Sequence, residues 1–384
     1  MEPVDLPVAP PLEPMLAKAL VKVPDEAGVW SYEPKWDGFR ALVFRDGDDV
    51  LLQSRSGKDL GRYFPELLDA LRDELVDRCV LDGEVVVPRE VGADARSKIE
   101  IGADARSKIE IGADARSKTA SSLVRLDWES LSQRIHPAES RIRMLAEQTP
   151  AHFIGFDALA TGENSLLDES FRIRREALVD AVHRNLLRTR GARQVWCHVT
   201  RTTENPALGT QWLKTFEGAG LDGVIAKRID GPYLPGKREM VKVKHHRDAD
   251  CVAIGYRIHK SGAGVGSILL GLYRDGGELQ MIGGAASFTA KDRLKLLADL
   301  EPLREGDEMR EGDPNRWNSA ADKRWIPVRP EKVCEVAYDQ MEGQRFRHAV
   351  KFLRWRPDRE PSSCTFDQLD VPLDYDLYDV LETS

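Results

Sequence analysis

Short apolar runs bounded by turn residues dominate the early chain. RALVFR (residues 40–45) and VLLQSR (50–55) flank Asp46-Gly47-Asp48, so two strands around a turn are predicted within Trp30–Ser54. FPELLDALRDELVD (64–77) spaces its apolar residues by three and four, the pattern of an amphipathic helix. CVLDGEVVV (79–87) reads as a buried strand. LDWESLSQRI (126–135) and ESRIRMLAEQ (139–148) read as helices separated by His136-Pro137. Four further elements follow: HFIGFDALA (152–160) as a strand, SFRIRREALVDAVHRN (170–185) as a helix, VWCHVT (195–200) as a strand, and TQWLKTFEGAG (210–220) as a helix ending at glycine. LDGVIAKR (221–228) predicts another strand. Residues 1–24 hold six prolines and read as an extended lead-in, with Met15–Leu20 as a short helical turn.

Beyond about residue 247 the pattern changes. DCVAIGYRI (250–258), SILLGLYRD (267–275), ELQMIGGAAS (278–287) and KVCEVAYDQ (332–340) are β-like runs broken by glycine-rich turns, with one helix over 290–300. Roughly five strands in such a length fit a small barrel, and the OB-fold is the natural candidate. The expected fold class is therefore α+β: a first domain over 1–247, a barrel domain over 248–360 and a tail over 361–384. Residues 91–120 are three near-identical ten-residue copies, VGADARSKIE, IGADARSKIE and IGADARSKTA. They are poor in large apolar groups, so they read as a tandem expansion inside a surface loop, which lengthening penalises little.

The chain has 384 residues, 41% hydrophobic and 31% charged, enough for two cores and too apolar for a disordered chain. It has no run of 18 apolar residues and no basic-then-apolar start, so neither a membrane span nor a signal peptide is expected. Five scattered cysteines without a CxxC pair argue against a disulfide framework or zinc ribbon and fit a cytoplasmic protein. A net charge of −8 argues against a polyanionic partner until its distribution is seen. Glu360–Ser384 contains seven acids and no lysine or arginine, so −7 of the −8 lies there. Residues 236–247 carry five lysines and arginines against one acid, and residues 343–359 carry six against one.

The chemistry concentrates in a few short runs. Glu33-Pro34-Lys35-Trp36-Asp37-Gly38-Phe39-Arg40 sets a lysine near acids at a strand end, where an amine can serve as a nucleophile. Ser54-Arg55-Ser56-Gly57 follows at another strand end, and Leu81-Asp82-Gly83-Glu84 places acids in a buried strand. Phe156-Asp157 sets an aromatic beside an acid. Asp222 precedes Lys227 by five residues, and Lys242 and Lys244 share one face of a strand. Lysines for phosphates, carboxylates for Mg²⁺ and an aromatic to stack a base are what a triphosphate site requires.

In the order KWDGFR, SRSG, LDGE, FIGFDAL, DGVIAK and VKVK, the chain resembles the covalent nucleotidyltransferases, specifically ATP-dependent DNA ligases. EPMLAKAL and the tail FDQLDVPLDYDLYDVL are most similar to the small enzymes called ligase C in actinobacteria. The resemblance implies an adenylation domain with antiparallel sheets and flanking helices, followed by an OB-fold domain. It implies that Lys35 takes AMP from ATP, passes it to the 5′-phosphate of a nick, and so allows the 3′-hydroxyl to seal the strand. Asp37 would orient the lysine. Glu33, Arg40 and Arg55 would contact nucleotide or nick, Glu84 the ribose, and Phe156 the adenine. Glu84 and Asp222 would hold Mg²⁺, for which Mn²⁺ can substitute, and Lys227, Lys242 and Lys244 would meet the phosphates.

Two positions depart from the family pattern. Asp222 stands where many relatives carry glutamate, and Arg356-Pro357-Asp358-Arg359 stands for a motif that usually ends in lysine. In the family that element orients the leaving pyrophosphate, which implicates Arg356, Asp358 and Arg359. The implied partner is nicked double-stranded DNA bound without sequence readout, as the basic clusters suit. Repair polymerases or end-binding proteins are the implied partners in a bacterial, nucleoid-associated setting, with a monomer as the default. The rivals are an RNA ligase, an mRNA-capping guanylyltransferase with the same lysine chemistry, and a non-catalytic nucleic-acid-binding relative. Trp36, Trp128 and Trp355 read as packing residues, and SGAGVGS (261–267) as a turn.

Overall fold

The computed structural model describes residues 5–91, 123–186, 195–216, 220–245, 247–306, 308–311, 324–369 and 377–381. The repeats, His246 and residues 370–376 and 382–384 of the acidic tail lie outside them. The chain divides into two compact units, Met1–His245 with Val371–Ser384, and His246–Asp370.

In the first unit, strands β1 (Leu16–Ala19), β2 (Trp30–Lys35), β3 (Phe39–Asp46), β4 (Asp49–Ser54) and β5 (Arg78–Val86) come early. A hairpin of β6 (Pro88–Val91) and β7 (Leu123–Leu126) then brackets the repeats. Strands β8 (His152–Thr161), β9 (Asn164–Ser165), β10 (Cys197–Val199), β11 (Gly223–Arg228) and β12 (Arg238–Lys244) complete the unit. One sheet has the order β1-β12-β11-β2 and another β10-β8-β5-β3-β4, with β9 on β8. The central strands of the second sheet are buried on both faces, which is why they read as continuous apolar runs. Alternate residues serve different cores. Val43, Leu81 and Phe153 pack on Leu67 and Leu71 of α1 (Pro65–Glu74). Leu42, Phe44 and Val80 pack with Met15, Tyr233 and Met240. Proline at the first position of α1 fixes its start, where a missing N–H matters least.

The remaining helices of this unit are α2 (Trp128–Gln133), α3 (Glu139–Gln148), α4 (Phe171–Leu186) and α5 (Pro206–Thr215). Helix α5 starts four residues before the expected Thr210, because the Asn205 side chain accepts the Ala207 and Leu208 N–H groups and caps it. Met15–Leu20 is not a helical turn: β1 pairs in parallel with β12, a partner more than 200 residues away that no local pattern reveals.

The second unit contains β13 (Arg247–Ile258), β14 (Val265–Tyr273), β15 (Leu279–Ala285), helix α6 (Ala290–Leu300), β16 (Ile326–Pro327), β17 (Val333–Tyr338), β18 (Met341–Glu342), β19 (Arg345–Phe346) and β20 (Lys351–Trp355). The sheet order is β15-β14-β13-β17-β20. A parallel bridge between Ala285 and Val350 brings the two edges together, giving a five-stranded barrel of OB type with α6 after its third strand. Gly262 and Gly264, both at positive φ, form the β13–β14 turn. Strand β20 was not expected, and β13 begins at Arg247, before residue 248.

The expected separate tail, 361–384, is divided between the units. Phe366–Leu369 forms a short helix in the second unit, whereas Leu377, Val380 and Leu381 are buried in the first. All five cysteines are buried thiols. Among the described residues no helix is long and apolar enough to cross a membrane.

Candidate active site

Three strands of the first sheet set out the site in rows. Lys35 on β2 faces Gly223 on β11, which faces Lys244 on β12. The next row on the same face is Glu33, Ile225 and Lys242, and Lys227 lies one row deeper, opposite Ser31. Successive rows are about 7 Å apart, two residues of strand rise. Asp222 immediately precedes β11, and its N–H donates to the Lys35 carbonyl at 2.9 Å.

That register lets one carboxylate take both terminal lysines. Asp222 Oδ2 lies 2.7 Å from Lys35 Nζ and 3.1 Å from Lys244 Nζ. Burial pushes the Asp222 carboxyl up, but Lys35 and then Lys244 outweigh it and hold it below the usual carboxylate range. Two motif glycines are required by space. A Cβ on Gly223, whose φ is +145°, would meet the Val243 carbonyl oxygen at 2.1 Å. A Cβ on Gly38 would meet that of Val85 at 2.2 Å.

The opposing wall comes from the second sheet. Arg40 on β3 pairs with Glu84 on β5 in register, and its guanidinium forks onto Asp82 at 2.6 and 3.0 Å. The same guanidinium lies 5.5 Å from the Phe156 ring centroid. Glu84 Oε1 accepts the Gly38 N–H at 3.1 Å. Burial lifts the Glu84 carboxyl to about 7 against the pull of Lys35 and Arg40, and Asp37, in the β2–β3 turn, adds to the rise.

Between these walls lies a cleft of about 950 Å³. It is lined by Glu33, Lys35, Arg40, exposed Arg55, Glu84, Phe156 and Lys242 among the expected residues. Burial and the neighbouring Lys244, Lys35 and Arg55 lower the Lys242 ammonium, the sign of cations gathered without enough anion. Lys58 and Arg238 also line the cleft and were not singled out as site residues by sequence; Arg238 lies in the basic run 236–247, and Lys58 just follows Ser54–Gly57.

Lys227, expected on the phosphates, does not face the cleft. It is 2% exposed, 3.0 Å from Glu33 Oε1 and 3.4 Å from Asp157 Oδ2, and it donates to the Phe156 carbonyl at 2.6 Å. Its ammonium lies 4.8 Å from the Phe156 ring centroid. Asp157 also binds the buried Arg174 at 2.7 Å. Burial raises the Glu33 carboxyl although Lys227 opposes the rise, and its Oε2 is buried without a protein hydrogen-bond partner. Arg356, Asp358 and Arg359 belong to the second unit, where they cluster around Asp250. Trp36 is 4% exposed and donates to Thr200 Oγ1, Trp128 meets the Phe39 ring edge-on, and Trp355 donates to Asp299, all packing roles.

Residues 14–244 match the ATP dependent DNA ligase domain family, and residues 261–359 match the ATP dependent DNA ligase C terminal region. The chain is 78% identical to DNA ligase C1 of Mycolicibacterium smegmatis, over 98% of this chain and 99% of the relative. It is 45% identical to DNA ligase C of Mycobacterium tuberculosis, over 98% of both. The crystal structure of the ligase domain from M. tuberculosis LigD shares 29% identity and covers 92% of this chain and 98% of that one, with a TM-score of 0.42. With both family regions matched in order and a relative 78% identical over nearly the whole chain, the chain belongs to the ATP-dependent DNA ligases.

Proposed function

We propose that Lys35 is the residue that carries AMP, and that the chain uses it to seal 3′-hydroxyl/5′-phosphate nicks in duplex DNA during repair. The observation that carries this reading is the Lys35 ammonium held 2.7 Å from Asp222 at the end of a strand and at the wall of the cleft. In the first step the Lys35 nitrogen attacks the α-phosphorus of ATP, the P–N bond forms, and the bond to pyrophosphate breaks. The AMP then moves to the 5′-phosphate, and the 3′-hydroxyl displaces it.

The neighbouring residues divide the nucleotide between them. The Phe156 ring offers a stacking face for adenine, and the orphan Glu33 Oε2 offers an acceptor for its amino group. Lys227, neutralising Glu33 from below, serves the base end rather than the phosphates. Lys242 and Lys244 face the phosphates, Arg40 and Arg55 the ribose phosphate and nick, Glu84 the ribose, and Asp37 orients Lys35. Arg356, Asp358 and Arg359 act on the departing pyrophosphate.

Asp222 and Glu84 are the carboxylates that would hold Mg²⁺ or Mn²⁺. Among the described residues no cluster of three or more acids, histidines or cysteines forms a metal cage, which suits an ion that also takes water and phosphate oxygens. Bound there, the ion supplies charge neutralisation on the triphosphate.

The test is sealing of a nicked duplex by wild type and Lys35→Ala, with label from ATP followed on the protein. The expected result is no AMP adduct and no sealing by the variant. An adduct retained by Lys35→Ala would move the nucleophile elsewhere, and GMP retained by wild type would favour a capping enzyme. Relatives 29% identical carry the name multifunctional non-homologous end joining protein LigD, and this chain covers 39% of their length. Their end-joining name supports repair as the setting here.

A further inference from the structure

Arg356 and Arg359 are held by a residue that no sequence pattern marks. Asp250, on β13, receives Arg356 Nη1 on its two carboxylate oxygens at 2.9 and 3.0 Å. The same carboxylate lies 3.4 Å from Arg359 Nε. The other edge of Arg356 grips Asp358, with contacts of 2.8 to 3.2 Å from Nε and Nη2. That hydrogen-bonded pairing draws the Asp358 carboxyl down to about 2.

Asp250 is itself clamped. Its N–H donates to Gln368 Oε1 at 2.7 Å, and its carbonyl accepts Gln368 Nε2 at 3.0 Å. Gln368 also donates to the Thr365 carbonyl at 2.9 Å, so the carboxamide is fixed from both sides. All of these residues lie within the second unit.

A guanidinium is a rigid fork, and carboxylates on two of its edges leave it little freedom to turn. Arg356 is engaged in this way and its side chain is 21% exposed. Arg359 is 40% exposed, with one longer contact to the same carboxylate and a neighbouring contact to the Cys364 thiol. The two arginines therefore differ in what they can do: one is locked, and the other can exchange its partner for an anion of similar charge.

We propose that Asp250 is a positioning residue for lysine adenylation: it locks Arg356 and sets the direction of Arg359, which meets the departing pyrophosphate. This rests on the reading that the 356–359 segment acts on pyrophosphate. Supporting side chains of this kind act through the geometry of the group they hold.

The test separates two steps. Full-length Asp250→Asn keeps the shape but replaces one acceptor oxygen by an amide that points hydrogens at the guanidinium. Formation of the protein–AMP adduct from labelled ATP is timed at saturating ATP. Sealing of a nick already carrying AMP is timed separately, with enzyme stripped of AMP and no ATP. Pyrophosphate has no part in the second assay. Adduct formation is expected to slow about tenfold while that sealing stays within about twofold, and Asp250→Glu should recover part of the loss. Normal loading by Asp250→Asn, or an equal loss in both assays, overturns the proposal. Arg359→Ala serves as the control. Should it load AMP normally, the pyrophosphate reading fails and the proposal falls with it; defective Arg359→Ala beside normal Asp250→Asn defeats the positioning role alone.

Discussion

At the scale of single residues, the site is built by pairing several of its cations with carboxylates that the fold buries. Asp222 takes Lys35 and Lys244, Asp82 takes Arg40, and Glu33 with Asp157 takes Lys227. The arrangement around Asp82 reaches beyond the cleft. Asp82 Oδ2 accepts the Tyr233 hydroxyl at 2.7 Å, and that hydroxyl accepts the Met15 N–H at 2.9 Å. Tyr233 is 1% exposed, so neither group has water to turn to. Tyr233→Phe should destabilise the protein by about 1–3 kcal/mol, the range for orphaning a buried polar group. Chemical denaturation would measure it, and a change below a few tenths would show that the hydroxyl holds nothing in place. Neither the pairing of these residues nor Tyr233 itself was legible in the sequence. The runs KWDGFR, FIGFDAL and DGVIAK announce themselves by residue type and spacing, whereas Tyr233, Arg174 and Asp250 are isolated polar residues. Tyr233 reaches Asp82 across 151 residues, Arg174 reaches Asp157 across 17 and Arg356 reaches Asp250 across 106, pairings that only the tertiary fold identifies.

At the scale of elements, legibility follows burial. The runs that become β3, β5 and β8 were readable because both faces are apolar. KFLRW, which becomes β20, was not readable, because its residues are exposed or only half-buried and its charges hide the alternation. The parallel pair of β8 and β10 carries a feature with consequences for stability. His152 Nδ1 and His198 Nε2 lie 3.0 Å apart with rings stacked, against Trp196 and with Tyr378 6.1 Å from His198. Burial pushes His152 down to about 4. Burial, then His152, push His198 to about 3, with the Val195 carbonyl opposing and His183 adding slightly. Unfolded, both imidazoles return to about 6.5. Between that value and the folded ones the unfolded chain binds more protons, so their neutrality stabilises the fold above pH 6.5 and is lost as pH falls through 6 to 4. His198→Gln should therefore lose less stability than wild type between pH 7 and pH 5. Urea midpoints at the two pH values decide it; equal drops in both proteins would show that other groups govern the acid response.

At the scale of the whole molecule, the chain leaves the first unit after His245 and returns to it after Asp370. The last residues are acidic in composition, yet their apolar residues pack into the first unit far along the sequence from where it otherwise ends. Leu377 is 2% exposed, Val380 0% and Leu381 8%, in one core with Trp36, Ile154, Phe156 and Val224. Leu381 bridges Thr200, and Arg201 donates its N–H to the Val380 carbonyl. This segment thus shares a core with the aromatic residue of the cleft, although it follows the barrel in sequence. Leu377→Ala deletes buried methyl groups from a packed site and should lower the stability of the first unit by about 2–4 kcal/mol. The barrel has a separate core, built from residues such as Val252, Leu270 and Val336. Calorimetry should therefore show the transition of the first unit moving down while that of the barrel stays in place. A stop codon after Asp370 should move it further in the same direction. If truncation instead left the first transition unchanged, the segment would be a passenger on that unit, and the packing of Leu377, Val380 and Leu381 would contribute nothing to holding the nucleotide cleft together.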